Sequence, residues 1–159
     1  MTRDELLEKI KQTHADFVTA LADLPEEVMT KRPVIDWWTL KDLLGHIAMW
    51  QQVAIRFIAE YKQDGCPKPL GLADDAASNA YNKRGVELRR DLSLAKARAE
   101  FDAAYRDLVA AVESLRDEDL IKILPEPWKN RTLEYLIKIN SYTHTPEHTE
   151  QIKLWRAAL

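Results

Sequence analysis

The sequence predicts an all-α protein built as a bundle of four long helices, and three observations predict it. Apolar residues recur at helical spacing in four separate stretches. Glycine, at 4 in 159 residues, is too scarce for the many tight turns of a β-rich chain. A hydrophobic content of 46% beside 31% charged residues describes a chain that buries a core behind a charged surface. Its length is that of one domain, so residues 1–159 are expected to form a single unit.

In the first helix Leu6, Leu7, Ile10, Phe17, Leu21 and Leu24 share a face, and Pro25 closes it. The second opens at Thr39, with Asp42 three residues on in a variant of the capping box. It carries Leu40, Leu43, Leu44, Ile47, Trp50, Ala54, Ile58 and Tyr61 as far as "DGCPKP". Ser93 caps the third, whose stripe is Leu94, Phe101, Tyr105, Leu108, Val112 and Leu115. The fourth begins near Thr132 and carries Leu133, Leu136, Ile137, Asn140, His144, His148, Ile152 and Trp155. Each runs to roughly 20 residues, or about 30 Å, and matched lengths favour a four-helix bundle.

Residues 64–92 form a long link between helices two and three, with a short helix expected around Asp74–Arg84. A link of that length permits a crossover, so the two helices it joins need not be antiparallel. Pro146 interrupts the fourth helix because it cannot donate to the carbonyl of Tyr142. The apolar stripe keeps its phase into Ile152 and Trp155, which predicts a kinked but continuous helix. The alternative is a restart, with Thr145 as N-cap and Pro146 at the first position.

With 23 basic and 26 acidic residues the net charge is −3, which argues against a nucleic-acid partner. The densest basic stretch, "KRGVELRR" (83–90), is interleaved with acids and reads as a solvated face, with a phosphate site as the lesser alternative. Cys66 is the only cysteine, so no internal disulfide forms, and with no base near it in sequence it receives no catalytic role. "MTRDELLEKI" lacks a signal core, and no apolar run approaches the roughly 20 residues a bilayer span needs. A cytoplasmic protein with no membrane partner is expected.

Three of the four histidines lie on core-facing stripes of helices two and four. His46 follows Leu43 by three residues and precedes Trp50 by four, so it points inward with them. His144 and His148 are one turn apart, which puts their Cβ atoms about 5–6 Å from each other. Two imidazoles at that spacing make half a metal site, and a third from a facing helix leaves an open fourth position, as in catalytic zinc sites. The competing reading is that each histidine is a hydrogen-bonded packing residue. Burying three imidazoles without a metal then demands several partners.

"HTPEH" also fits the inverted zinc-protease pattern, but only 11 residues follow His148, too few for such an enzyme's third ligand and substrate-binding half. Glu147, one turn from His144, is a candidate base or hydrogen-bond acceptor; a plain surface glutamate is the alternative. His14, on the first helix, is either a fourth ligand or a residue near one end bonding to side chains or water. Asn140 precedes His144 by one turn and is a candidate to orient it. Trp38 and Trp155 are candidates to line a pocket mouth, whereas Trp50 is expected to pack.

"DWWTLKDLLGHIAMW" (36–50) resembles the helix-two signature of the DinB-like superfamily, and "NSYTHTPEHTEQIKLW" (140–155) resembles its last helix. The middle, "SNAYNKRGVELRRDLSLAKARAEFDAAYRDLVAAVESLRDEDL", is similar to the ClbS/DfsB-like branch, as is "PW" before the last helix. The resemblance implies a four-helix bundle in up-down-down-up order, often a homodimer. It implies His46, His144 and His148 as ligands of a divalent metal, commonly zinc or nickel. It also implies activity on an electrophilic small molecule, as a metal-dependent hydrolase or a transferase using a low-molecular-weight thiol. The ClbS-like branch implies instead a metal-independent hydrolase or a sequestering self-protection protein, with residues 64–92 and the tryptophans in contact with the ligand. A non-catalytic stress-related interaction protein is the third reading.

Overall fold

The computed structural model describes all 159 residues. Its elements are α1 (Arg3–Ala20), α2 (Glu26–Lys31), β1 (Pro33–Ile35), β2 (Trp38–Thr39), α3 (Leu40–Asp64), α4 (Asp75–Glu87), α5 (Leu94–Glu113), α6 (Asp117–Ile121), α7 (Leu133–Ile139) and α8 (His144–Ala157). The four predicted stripes become α1, α3, α5 and the α7–α8 pair, and the expected link helix becomes α4. No helix is long and apolar enough to cross a membrane.

Contacts at the helix ends settle the order of the bundle. Lys41 at the start of α3 donates to the carbonyl of Leu92, just ahead of α5. At their far ends Lys62 donates to the Ser114 hydroxyl, and the Tyr61 hydroxyl donates to Asp119. Helices α3 and α5 therefore run parallel, side by side, and α4 with its flanking loops is the crossover. The amide of Arg3 at the head of α1 donates to Asp117, beyond the end of α5, so those two are antiparallel. Arg156, near the end of α8, donates to the carbonyls of Ala20 and Ala22, so α8 runs with α1. The order is up-down-down-up.

Thr39 starts α3 through a closed capping box. The Asp42 amide donates to its hydroxyl at 3.4 Å, and its own amide donates to the Asp42 carboxylate at 2.9 Å. Ahead of it lies a feature that the sequence pattern did not announce, a short antiparallel β1–β2 hairpin. Asp36 turns it with a φ of 49°, a left-handed conformation that aspartate tolerates better than most residues. The hairpin presents Trp37 and Trp38 beside the first turns of α3.

The fourth stripe departs from expectation. It is two helices, not one kinked helix, and the break falls at residues 140–143, ahead of Pro146. Side chains there capture carbonyls that a continuing helix would have used. Asn140 donates to Leu136 at 2.7 Å, Ser141 to Ile137 at 2.6 Å and Thr143 to Lys138 at 3.0 Å. Such local side-chain bonds compete with the backbone ladder. Helix α8 then restarts with Thr143 as its N-cap, not Thr145, and Pro146 falls in its first turn, where amide hydrogens have no intrahelical acceptor anyway. Because the break precedes both histidines, His144 and His148 share one unbroken turn.

Two apolar clusters fill the bundle. One joins the head of α1 to the later halves of α3 and α5 and to α7; the other joins the tail of α1 to α2, the first halves of α3 and α5, and α8. The buried polar residues are His46 and Gln51 of α3 together with Asn140, Ser141, Thr145, His148 and Thr149. They come from the first half of α3, from the break and from the start of α8, so polar groups are concentrated where these segments meet. The capping box holds the start of α3, and with it His46. Thr39→Ala is expected to cost about 1 kcal/mol in chemical denaturation, with Thr39→Ser recovering most of it. A Thr39→Ala variant of unchanged stability would show the box to be idle.

Candidate metal centre

His46 stands on the inner face of α3, and His144 and His148 open α8 opposite it. The Nε2 atoms of His46 and His144 lie 3.1 Å apart, as do those of His148 and His144. One nitrogen from each ring falls within 4.8 Å of the others. The rings meet edge to face, with centroids 4.7 to 5.0 Å apart. His46 and His148 are buried, while His144 keeps partial access to solvent.

Hydrogen bonding alone cannot satisfy this arrangement. A neutral imidazole Nε2 has one in-plane site, holding either a hydrogen or a lone pair. His144 Nε2 faces two neighbours and can make a proper bond with only one. The tautomer of His148 is set independently, because its Nδ1 lies 2.8 Å from Gln151 Oε1, an acceptor. That bond places the His148 proton on Nδ1 and leaves its Nε2 as a lone pair aimed at the other rings. Nδ1 of His46 and of His144 are buried without a partner. A cation among the three Nε2 atoms removes the conflict, since each nitrogen then offers a lone pair to it. The donor set suits zinc or a neighbouring divalent ion.

Electrostatics favours the same state. Burial pushes the His46 imidazole down to about 2, helped by the two nearby histidines. Burial, with His148 beside it, pushes His144 down to about 3. His148 is also lowered by burial, against opposing pulls from Gln151 and Glu147. At neutral pH all three rings are uncharged, the form in which imidazole ligates a metal.

The other expected residues divide. The ring of Trp38 packs on His46 at a centroid distance of 4.9 Å. Asn140 is buried and hydrogen-bonds back to Leu136, closing α7 rather than reaching His144. Trp155 lies two turns past His148, half-buried against the second apolar cluster. Glu147 is exposed and acts on His148 through its field, with no hydrogen bond to the rings. His14 is no fourth ligand: it is stacked on Tyr105, with centroids 3.6 Å apart, and on Phe101. Trp50 packs on Tyr81 and, more distantly, His144, and its Nε1–H donates to Asn82 at 3.0 Å.

Sequence reasoning passed over three contributors. Gln151 is one; the only signal was its place one turn after His148. Asn79 and Asn82, one turn apart on α4, are the others. With Lys83, Trp38 and the hairpin turn they line a cavity of about 370 Å³. Trp38 stands between that cavity and His46.

The family model of the DinB superfamily matches residues 9–152. The chain belongs to the DinB superfamily. It is 26% identical over 140 residues to the uncharacterized protein YuaE of Bacillus subtilis, covering 84% of this chain and 86% of that one. Its fold is similar to that of the colibactin self-resistance protein ClbS, solved with a double-stranded DNA, with a TM-score of 0.82 at 13% identity over 99% of this chain and 97% of that one. It is also similar to DfsB, a sibling lethal factor precursor, with a TM-score of 0.77 at 18% identity over 99% of this chain and 96% of that one. The ClbS complex withdraws support from the exclusion of nucleic acid that the net charge suggested.

The depressed histidines carry a pH signature in metal-free protein. Unfolded histidine titrates near 6.5, well above the folded values, so below that pH the unfolded chain binds protons that the folded chain refuses. Stability is therefore complete above about pH 6.5 and falls as pH drops, by up to ~1.4 kcal/mol per pH unit for each such histidine. Denaturation curves between about pH 6.5 and about pH 4.5 check it, and His46→Leu is expected to lower the slope by one proton. A flat profile, unchanged in the variant, would contradict the burial of neutral rings.

Proposed function

We propose that the chain is a metal-dependent detoxifying enzyme, a hydrolase or thiol transferase, acting on an electrophilic small molecule at the His46–His144–His148 centre. The observation that carries this reading is the double demand on His144 Nε2, which a bound cation relieves and a hydrogen-bond pattern does not. Zinc and nickel are the ions we infer. Such an ion supplies Lewis acidity, making a nucleophile available at neutral pH from water or from a low-molecular-weight thiol.

The residues of the chain supply the rest. Gln151 holds His148 in the tautomer that presents Nε2. The Trp38 ring buttresses His46 and forms an apolar wall toward the neighbouring cavity. Asn82 has its carbonyl oxygen engaged by Trp50 and keeps its amide hydrogens for an acceptor on a ligand. Lys83, which faces Glu87 at 3.9 Å, and Asp36 bring opposite charges to the same rim. A small neutral electrophile bearing a carbonyl fits that lining. What supports a proton-accepting role for Glu147 is its position one turn from His144 and its field at His148.

The neighbour ClbS favours a second reading, a metal-independent self-protection protein that binds or opens a reactive ligand, with double-stranded DNA as a partner. One experiment separates the two. Calorimetric titration of untagged chain with zinc or nickel is expected to show a single site of micromolar affinity or tighter, lost in His148→Ala and weakened about 10–100-fold in Gln151→Leu. Absence of uptake by the native chain would overturn the metal-dependent reading and leave the second.

A further inference from the structure

We propose that the groove between α3 and α4 is a second binding site, for an organic monoanion with an apolar body, such as a medium-chain carboxylate. The groove encloses about 350 Å³ and is lined by Arg56 of α3, Arg84 of α4 and Arg89 just beyond α4, with no aspartate or glutamate among its lining residues. Met49 and Val53 form its apolar side on α3, and Leu88 overhangs it with 73% of its surface exposed. A pocket of that volume suits a small organic ligand.

Two of the arginines have hydrogen-bond and ion-pair partners of their own. Arg89 Nε donates to Glu100 at 3.0 Å and its Nη1 to the Gly85 carbonyl at 3.2 Å. Its stem lies flat on α3 because Gly45 offers no side chain; a Cβ there would stand 2.8 Å from Arg89 Cδ. Arg56 donates to the Lys68 carbonyl at 2.9 Å and faces Glu60 at 3.4 Å. These carboxylates compensate two of the three charges, and Arg84 has no ion-pair partner. The groove thus carries about one net positive charge, fixed guanidinium geometry and an apolar side, which selects a single carboxylate or sulfonate over a polyphosphate. It lies on the face of α4 bearing Arg84 and Leu88, away from the Asn79, Asn82 and Lys83 face beside the histidines. The basic stretch "KRGVELRR" supplies Arg84, Leu88 and Arg89.

Fluorescence titration of the full chain with anilinonaphthalene sulfonate, an apolar monoanion, tests this. A single saturable site is expected, displaced by decanoate. Its affinity should fall at least about tenfold in Arg84→Ala and in Leu88→Glu. Both residues are exposed, so circular dichroism and melting of the variants should match the native chain. No saturable binding, or binding unmoved by both substitutions, would overturn the proposal. So would displacement by inorganic phosphate or duplex DNA at lower concentration than decanoate, which would mark the groove as a phosphate or nucleic-acid contact.

Discussion

An imidazole nitrogen has one in-plane site, and the interior of this bundle places three such nitrogens against one another with His144 between two of them. Much of the architecture around the centre is needed to hold that arrangement. Apolar clusters on either side keep the rings in a confined space, and the break between α7 and α8 lets His144 and His148 open a fresh helix facing His46. Moving buried imidazoles together costs free energy that hydrogen bonds here do not return, since Nδ1 of two rings lacks any partner. A cation among the three Nε2 atoms would relieve the conflict at His144 Nε2, and on that ground we propose the centre as a metal site.

The crossover gives the bundle its second property. Because α3 and α5 run parallel, the chain must travel the length of the bundle between them, and α4 lies on that route. One face of α4 helps wall the cavity next to Trp38 and the other lines the arginine groove on α3. The close approach of Gly85 to Met49 seats the helix tightly. A connection required by topology has become the wall shared by two cavities, one beside the histidines and one remote from them.

Much of this was legible in the chain. The spacing of Leu43, His46, Ile47 and Trp50 places His46 inward, and the Thr39–Asp42 pair marks where its helix begins. The i, i+4 interval of His144 and His148 survives because the helix breaks ahead of it. The break itself was hidden. Four residues, 140–143, span about one helical turn, so the apolar stripe resumes in phase after the interruption. Only the serine, threonine and asparagine side chains hint that the backbone ladder has competition. The β1–β2 hairpin and α2 are too short to show a period, although they deliver Trp38 to the centre. Gln151 and the asparagines of α4 could not be found by pattern, because their roles depend on distances between segments far apart in sequence.

We propose that His46, His144 and His148 converge on one cation through Nε2. Anomalous diffraction from crystals grown with zinc, recorded on both sides of its absorption edge, tests it most directly. One strong peak within coordination distance of all three Nε2 atoms, absent from His148→Ala crystals, is expected. Three rings in contact with no peak among them, or zinc bound only elsewhere on the chain, would contradict it.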